Sequence, residues 1–322
     1  MNTWSKYPDL KNEMDKVEIL LEETLKSRRK IVEETAMDLL GAGGKRIRPA
    51  LVIASAQFGE YNSDKVVSLA AALEMFHMAT LIHDDIVDNA ETRRGIETTQ
   101  SKYGKDIAVY TGDYLFSKAF MLVSKIDNGN KILHLSKFIK AICEGEIEQH
   151  TSKFDMNIST ATYLKRIKYK TALLFALCCQ IGAETAKCSK QITGNLRRYG
   201  MALGTAFQIR DDLLDITSEG SVIGKPAGND ILEGVYTIPL LYSIKNSKHR
   251  EELKNLLKQS ELSKLDLLEI IGYIKEAHGI TYSVQLEKKH YDRAFESLKR
   301  IPQHPSKEVL SDLVYQLMNR IK

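Results

Sequence analysis

The sequence predicts an all-α fold, and three observations support that prediction. Only 6 of the 322 residues are prolines, and 43% are hydrophobic, which is enough for a large core. Along most of the chain, apolar residues recur at positions i, i+3, i+4 and i+7, the spacing of one helix face. No stretch of convincing length alternates apolar and polar residues as a half-buried strand would. Because no linker rich in proline, glycine or serine divides the chain, residues 1–322 are expected to form a single domain.

The predicted helices follow one another from the N-terminus. The first apolar stripe begins at Met14, continues to Leu40 and stops at a turn with three glycines, residues 41–44. Pro49 lies in the expected first turn of the next helix. Further helices are predicted at residues 49–57, 63–88, 106–125, 131–151, 160–182, 187–214 and 237–246, with more amphipathic scaffold helix at 251–322. Residues 217–230 are polar and contain glycine, which predicts a loop of a length that is often functional.

Charge and cysteine content exclude several classes of protein. The net charge of +4 is spread along the chain, so neither a nucleic-acid binder nor a membrane-surface protein is predicted. The four cysteines lack metal-site spacing and are interpreted as buried thiols of a reducing compartment. The N-terminus has no basic region followed by an apolar one, and no apolar stretch is judged long enough to span a bilayer. A cytoplasmic protein without a transmembrane segment is therefore expected.

Two acidic motifs with the same spacing end two strongly apolar helical stretches. They are Asp84-Asp85-Ile86-Val87-Asp88 and Asp211-Asp212-Leu213-Leu214-Asp215. On a helix, the first and last aspartates of each motif share a face, and carboxylates are the groups through which Mg²⁺ is bridged to substrate phosphates. One such motif alone is more often a solvated helix end. Two of them beside a core are costly unless cations neutralise them, so all six aspartates are candidate metal ligands.

Basic residues in four places are candidates for binding diphosphates. Lys45, Arg46 and Arg48 combine a glycine-rich turn with a helix N-terminus, an arrangement that suits an anion. The other cations are Arg93 with Arg94, Lys170 beside Thr171, and Lys225. Basic turn residues are usually only solvated, but together these groups are enough for two diphosphates. Hydrolysis by paired carboxylates would need one acid and one base rather than two triads, so metal and diphosphate chemistry is favoured.

Taken in order, these motifs resemble those of the trans (E-type) isoprenyl diphosphate synthases. The matching stretches are residues 43–49, 74–88, 93–95, 112–113, 170–172, 207–215 and 224–226. They lie between residues 41 and 239, about two thirds of the chain, and their joint occurrence is highly specific. The resemblance implies helices surrounding a central substrate cavity. It also implies Mg²⁺-dependent chain elongation, in which an allylic diphosphate ionises and the double bond of isopentenyl diphosphate attacks the carbocation.

The resemblance also implies a role for each matching residue. Mg²⁺ on the allylic diphosphate would be held by Asp84, Asp88 and Asp211, supported by Asp85, Asp212 and Asp215. Isopentenyl diphosphate would be bound by Lys45, Arg48, His77 and Arg94. The allylic substrate would be contacted by Arg93, Lys170, Thr171, Gln208 and Lys225. The catalytic set would comprise Asp84, Asp85, Asp88, Asp211, Asp212 and Lys170. His83, in contrast, is expected to be an ordinary hydrogen-bonded core residue.

Small residues about one turn before the first acidic motif favour a medium or long product. In this family a helical tunnel receives the growing chain, and bulky residues at the positions of Ala79 and Thr80 would stop it early. Each further turn opened adds about one prenyl unit of depth, so the expected product has about six to eight isoprene units. Phe116, Phe120 and Phe138 are candidates for a deeper floor, although ordinary core packing is the simpler interpretation.

One loop departs from the family pattern. Where the family has Glu-Gly-Lys-x-Thr-x-Pro, this chain has Val235 in place of the lysine, within residues 233–239. The loss resembles the catalytic large subunits of two-component hexaprenyl and heptaprenyl diphosphate synthases, which work with a small, non-homologous partner. A heterodimer with such a partner is therefore expected, and menaquinone side chains are the implied use of the product. A self-sufficient homodimer of the octaprenyl or geranylgeranyl type is the alternative.

Three other functions compete with this interpretation. A terpene cyclase normally mixes Asn, Ser and Glu in its second metal motif, whereas this chain repeats Asp-Asp-x-x-Asp. Head-to-head condensing synthases are disfavoured by the basic pattern from Lys45 to Arg48. A non-catalytic regulatory subunit that binds prenyl diphosphates would be supported by the loss of an acidic motif, and both motifs are intact.

Overall fold

Helices make up most of the described chain, which confirms the all-α prediction. The computed structural model describes residues 4–93, 95–126, 129–217 and 228–319. In chain order, its α-helices are α1 Pro8–Leu25, α2 Lys30–Gly41, α3 Ile47–Ala56, α4 Ser63–Val87, α5 Thr99–Tyr103, α6 Lys105–Ser124, α7 Asn130–Thr151, α8 Thr160–Ile167, α9 Leu173–Thr185, α10 Lys190–Thr217, α11 Asn229–Leu232, α12 Ile238–Asn246, α13 Arg250–Leu257, α14 Lys264–Glu276, α15 Gly279–Lys299 and α16 Pro305–Met318. A π-helical turn, Lys168–Ala172, joins α8 to α9.

Three local features differ from the sequence expectations. The first apolar stripe is interrupted, because α1 ends at Leu25 and α2 begins only at Lys30. The single helix expected at residues 160–182 contains the π-helical turn. Two short strands, β1 Thr92–Arg93 and β2 Ile96–Glu97, form an antiparallel hairpin, which is too short to produce a period-two pattern.

The chain divides into two compact units, of which the first comprises Met1–Lys137, Leu177–Arg197 and Arg300–Leu310. Helix α4 is central to this unit, since it packs against α6 along most of its length and also against α1 and α3. Its start is fixed by Asn62, whose side chain accepts a hydrogen bond from the backbone N–H of Lys65. This packing holds α4 in place and so positions the first acidic motif at its C-terminal end.

Helix α4 also bears on the expectation that no segment could span a bilayer. Its 25 residues are long and apolar enough to cross a membrane by length and composition, a property that the sequence analysis overlooked. However, 72% of its most apolar window is buried inside the protein. Packing against α6, α3 and α1 therefore accounts for its apolar side chains, as in a core helix.

The second unit comprises Phe138–Ala176, Arg198–Lys299 and Ser311–Lys322. Apolar side chains from α8, the second half of α10 and helices α11 to α14 form its core, in which Ile209, Ile238 and Ile270 are fully buried. Helix α15 packs against α12. Helix α14 begins with a capping box in which Ser263 and Asp266 satisfy each other's backbone N–H groups. That the whole chain forms one domain stays a prediction.

The cysteines follow the sequence expectation only in part. Cys178 and Cys179 are buried, and Cys188 is half-buried, but Cys143 is exposed on α7. The expectation of four buried thiols is therefore wrong for Cys143, which lies on the polar side of an amphipathic helix. All four are free thiols.

Candidate active site

An accessible stripe runs along the second half of α4 to its C-cap. It contains His77, Thr80, Asp84 and Asp88, which are spaced by three or four residues and are half-buried or exposed. The backbone N–H of Asp88 donates to the carbonyl of Asp84 at 2.9 Å, so the helical path continues into the last aspartate. The first and last carboxylates of the motif therefore share a face, as predicted.

The middle aspartate of this motif points into the protein instead. Asp85 is 4% exposed, and its Oδ1 lies 2.8 Å from both Nε and Nη2 of Arg93 in strand β1. The backbone carbonyl of Asp85 also accepts a hydrogen bond from Gln100 Nε2 at 2.7 Å. Asp85 therefore anchors the hairpin and α5 to the end of α4. Arg93, predicted to contact the allylic substrate, is placed in an ion pair with Asp85.

The three neighbouring cations of the basic turn before α3 differ in their surroundings. Arg46 has a left-handed backbone (φ 47°), and its guanidinium lies 2.6 Å from Glu18 and 3.3 Å from Glu74. Arg46 also donates to the carbonyl of Leu40 at 2.9 Å. Lys45 is exposed and Arg48 is half-buried in the first turn of α3. The turn thus uses Arg46 for structure, consistent with the prediction of Lys45 and Arg48 as the anion ligands.

The second acidic motif repeats the pattern of the first within its own unit. Gln208, Asp211 and Asp215 are accessible at i, i+3 and i+7 of α10, whereas Asp212 is 4% exposed. Asp212 accepts a hydrogen bond from the hydroxyl of Tyr163 at 2.6 Å on one oxygen and from Gln208 Nε2 at 2.9 Å on the other. In both motifs, therefore, the outer carboxylates are accessible and the middle one is bonded inside the protein.

Thr171 is connected to this motif through Gln208. Its hydroxyl donates to Gln208 Oε1 at 2.5 Å, and Thr171 is buried while its neighbour Lys170 is exposed. Both residues lie in the π-helical turn, a feature that frequently occurs at functional sites. Lys170 and Thr171, adjacent in this turn, therefore face different surroundings.

The carboxylates of the second motif are in surroundings that oppose their ionisation. Burial, together with the nearby Asp211 carboxylate, raises the pKa of Asp212 to about 6, although Tyr163 and Gln208 lower it. Burial and the neighbouring Asp230 carboxylate raise the pKa of Asp215 to about 7, although the backbone N–H groups of Asp230 and Asn229 lower it. A divalent cation would relieve this cost, and both motifs offer hard oxygen ligands. The residues present therefore fit Mg²⁺.

Some predicted residues cannot be placed, and some residues of the site were missed. Arg94 and Lys225 lie outside the described residues. Across the described ranges, no three His, Cys, Asp or Glu side chains form a ready-made metal cluster. That agrees with a metal held by one or two carboxylates of a motif together with phosphate oxygens. The sequence analysis missed Tyr163, because its contact with Asp212 joins residues 49 positions apart.

Two further residues of α4 pack against α6. Phe76 is fully buried, whereas His83 is half-buried. The ring of His83 packs over Gly112 of α6, where a Cβ atom would come within 2.3 Å of it, and it lies 5.6 Å from the Phe116 ring. His83 Nε2 lies 3.4 Å from the carbonyl oxygen of Val109, so His83 is hydrogen-bonded as expected, but its side chain is 31% exposed and the expectation of a core residue is not met. Phe76 packs against Phe116 and Phe120, with ring centroids 5.4 and 5.2 Å away. An aromatic cluster therefore lies one turn before Thr80.

A helical fold with two aspartate-rich helix ends and a basic turn offers the ligands that an enzyme of metal and diphosphate chemistry would need. The chain belongs to the polyprenyl synthetase family, whose model matches residues 29–274, and it is a prenyltransferase.

Relatives in this family differ in the products that their names state. Heptaprenyl diphosphate synthase component 2 of Bacillus subtilis (strain 168) is 39% identical over 314 residues, which cover 98% of this chain and 90% of that protein. Octaprenyl diphosphate synthase of Escherichia coli (strain K12) is 30% identical, over 92% of this chain and 93% of that protein.

A solved structure is similar over nearly its whole length. It is a polyprenyl synthase from Caulobacter crescentus CB15, complexed with calcium and isoprenyl diphosphate. Its TM-score is 0.90 at 34% identity, covering 96% of this chain and 95% of that one.

Proposed function

We propose that this polyprenyl diphosphate synthase makes a medium- to long-chain product. It condenses isopentenyl diphosphate, by a 1′-4 linkage, onto an allylic diphosphate such as farnesyl diphosphate, with Mg²⁺. The observation that carries this proposal is the accessible stripe of α4, in which Asp84 and Asp88 follow small Thr80 and half-buried His77. This stripe offers metal ligands for a diphosphate and, one turn before them, a small side chain that would leave room for a growing chain.

The proposed roles are those that the family resemblance implies for the matching residues. Asp84, Asp88 and Asp211 bind the metal on the allylic diphosphate, with Asp215 nearby, and Asp85 and Asp212 support them from inside. When bound, Mg²⁺ supplies positive charge that stabilises the departing diphosphate.

The two substrates take different cations. Lys170, with Arg93, Thr171, Gln208 and Lys225, holds the allylic diphosphate, while Lys45, Arg48, His77 and Arg94 hold isopentenyl diphosphate. Cations held around a diphosphate in this way would stabilise the charge that builds on the leaving oxygens.

The proposed length of the product is about six to eight isoprene units, on the argument of one prenyl unit per helical turn. Thr80 is half-buried on the same stripe as Asp84, whereas Ala79 is fully buried in the first unit. Thr80 is therefore the better candidate for the residue that a growing chain passes. The Phe76, Phe116 and Phe120 cluster one turn further is the proposed floor.

A small, non-homologous partner subunit is also proposed. The product would supply menaquinone side chains, and the enzyme would be cytoplasmic. The B. subtilis relative is named as a component 2, which supports a second component. Val235 stands where the family has a lysine, and its loop is held to Phe154, whose N–H donates to the Gly234 carbonyl at 2.8 Å. The free thiols fit a reducing compartment. A homodimer is the alternative.

Charge-removing variants test the proposed metal ligands. Asp84→Asn and Asp211→Asn are each expected to reduce kcat by at least about a hundredfold, since each removes a carboxylate from a site that stabilises the leaving group. Asp106→Asn, which changes an exposed carboxylate in the first turn of α6, is the matched control and is expected to leave kcat unchanged. Full activity of Asp84→Asn would exclude the proposed site. The assay is run with the chain alone and with a cell fraction from which the chain has been removed.

A further inference from the structure

A buried hydrogen-bonded chain connects four residues of the second unit. Tyr163 on α8 donates to Asp212, Gln208 donates to the other oxygen of Asp212, and Thr171 donates to Gln208. The three distances are 2.6, 2.9 and 2.5 Å. Tyr163 is 2% exposed, and Asp212 and Thr171 are also buried. Tyr163 does not occur in any of the family motifs, and no role in the reaction follows for it from them.

The direction of this chain is fixed by chemistry. An ionised carboxylate only accepts hydrogen bonds, so both the Tyr163 hydroxyl and the Gln208 amide must donate to Asp212. Once the Gln208 nitrogen is used in this way, its oxygen must face Thr171, whose hydroxyl therefore donates to it. The Asp212 carboxylate thus determines how Gln208 and Thr171 are oriented, and the Tyr163 hydroxyl holds that carboxylate in place through its other oxygen.

The path of the backbone explains how these four hydrogen-bonded residues come together. Tyr163 lies in α8, which begins at the Ser159 cap, and Thr171 follows in the π-helical turn. Within this turn, Thr171 faces α10 while its neighbour Lys170 is exposed. Because Tyr163 lies before the turn and Thr171 lies within it, their contacts with the same stretch of α10 also tie the turn to that helix.

We propose that Tyr163 is a positioning residue for the allylic diphosphate. Through Asp212 and Gln208 it fixes the orientation of Thr171 and of the π-helical turn that carries Lys170. Tyr163 itself touches neither substrate nor metal. The inference rests on the proposed function, because it assigns Tyr163 to the same allylic site.

Tyr163→Phe removes only the hydroxyl and tests the proposal. The loss of a hydrogen bond to a charged group is expected to raise the KM for farnesyl diphosphate by about tenfold or more. The KM for isopentenyl diphosphate is expected to stay within about twofold of wild type, since no residue proposed for that substrate belongs to the chain. Tyr282→Phe is the matched control, because Tyr282 packs against the core of the same unit. It is expected to change neither KM.

Two further measurements separate positioning from a purely structural role. Calorimetry with Mg²⁺ and a non-ionisable thio analogue of farnesyl diphosphate should show that Tyr163→Phe weakens binding of the analogue by about as much as it raises the KM. This measurement does not require the protein to be active alone. The Gln208→Leu variant already lacks the hydrogen bonds that connect Asp212 to Thr171. Adding Tyr163→Phe to this variant should weaken binding of the analogue by less than about twofold further.

Three results would overturn the proposal. They are a Tyr163→Phe variant that matches Tyr282→Phe in both KM values, a full additional effect in the Gln208→Leu background, and failure of Tyr163→Phe to fold. In each case the hydroxyl would have only a general structural role or none. If wild-type protein neither binds the analogue nor forms product, the proposed function itself fails, which is a different outcome.

Discussion

Arg93 places two nitrogens, Nε and Nη2, each 2.8 Å from the same oxygen of Asp85. Asp85 is the middle residue of the first acidic motif, and its side chain is 6% exposed against 31% for Arg93. The ion pair ties the β1–β2 hairpin to the end of α4. It thereby fixes the direction of the helix turn from which Asp84 and Asp88 project.

The first prediction concerns this ion pair. Arg93→Ala should lower the free energy of unfolding by about 1–3 kcal/mol, because Asp85 would remain buried without its charged donor. Lys102→Ala is the control, since Lys102 and Asp38 form an exposed pair expected to contribute less than about 1 kcal/mol. Urea unfolding measures both. Equal losses of unfolding free energy in the two variants would show that the Arg93–Asp85 pair stabilises the protein no more than an exposed pair does.

The second prediction concerns product length. Thr80→Tyr should shorten the product, because it adds a ring to the accessible stripe one turn before Asp84, and it should leave stability nearly unchanged. Ala79→Tyr should also shorten the product but should cost about 1–3 kcal/mol, since Ala79 is fully buried. Thr80→Ser is the control and should keep the wild-type length. Product length is measured by chromatography of the dephosphorylated products. An unchanged product length from Thr80→Tyr would show that the growing prenyl chain does not pass Thr80.

The third prediction concerns the packing of α9 on α3. A Cβ atom on Gly182 would lie 2.3 Å from the backbone oxygen of Val52, so Gly182→Ala must push the two helices apart. The expected loss is about 1–3 kcal/mol of unfolding free energy. Gly272→Ala, on α14, meets nothing within 4 Å and should be neutral or stabilising by about 0.5–1 kcal/mol. A Gly182→Ala protein as stable as wild type would refute the close approach.

The fourth prediction concerns pH. Burial, with the charges of Arg293 and Lys289, lowers the pKa of His290 from 6.5 to about 4. Between these values the unfolded chain binds more protons than the folded one, so stability falls as pH drops from about 6.5 to about 4, by roughly 3 kcal/mol for this group. His290→Gln should flatten that slope.

A matched histidine on the surface controls for general effects of pH. His150→Gln, at an exposed site on α7, should leave the slope unchanged. The measurement is chemical unfolding at several pH values. An unchanged slope in His290→Gln would show that other groups cause the acid sensitivity.

The sequence predicted the helices, the acidic motifs and the shared face of Asp84 and Asp88, because helical periodicity is local. It did not predict which aspartate turns inward, since Asp85 and Asp212 are inside only because Arg93 and Tyr163 meet them from distant segments. The inward turn of Arg46, between Lys45 and Arg48, likewise depends on Glu18 and Glu74. The π-helical turn leaves no periodic signature, because it shifts the phase at one place only.

The central claim is that this chain elongates an allylic diphosphate. The most direct measurement is to incubate the purified protein with Mg²⁺, farnesyl diphosphate and isopentenyl diphosphate, alone and with the depleted cell fraction, and to size the dephosphorylated products. We expect a discrete prenol of about six to eight isoprene units in at least one of the two conditions. Folded protein that forms no elongated product in either condition would contradict it.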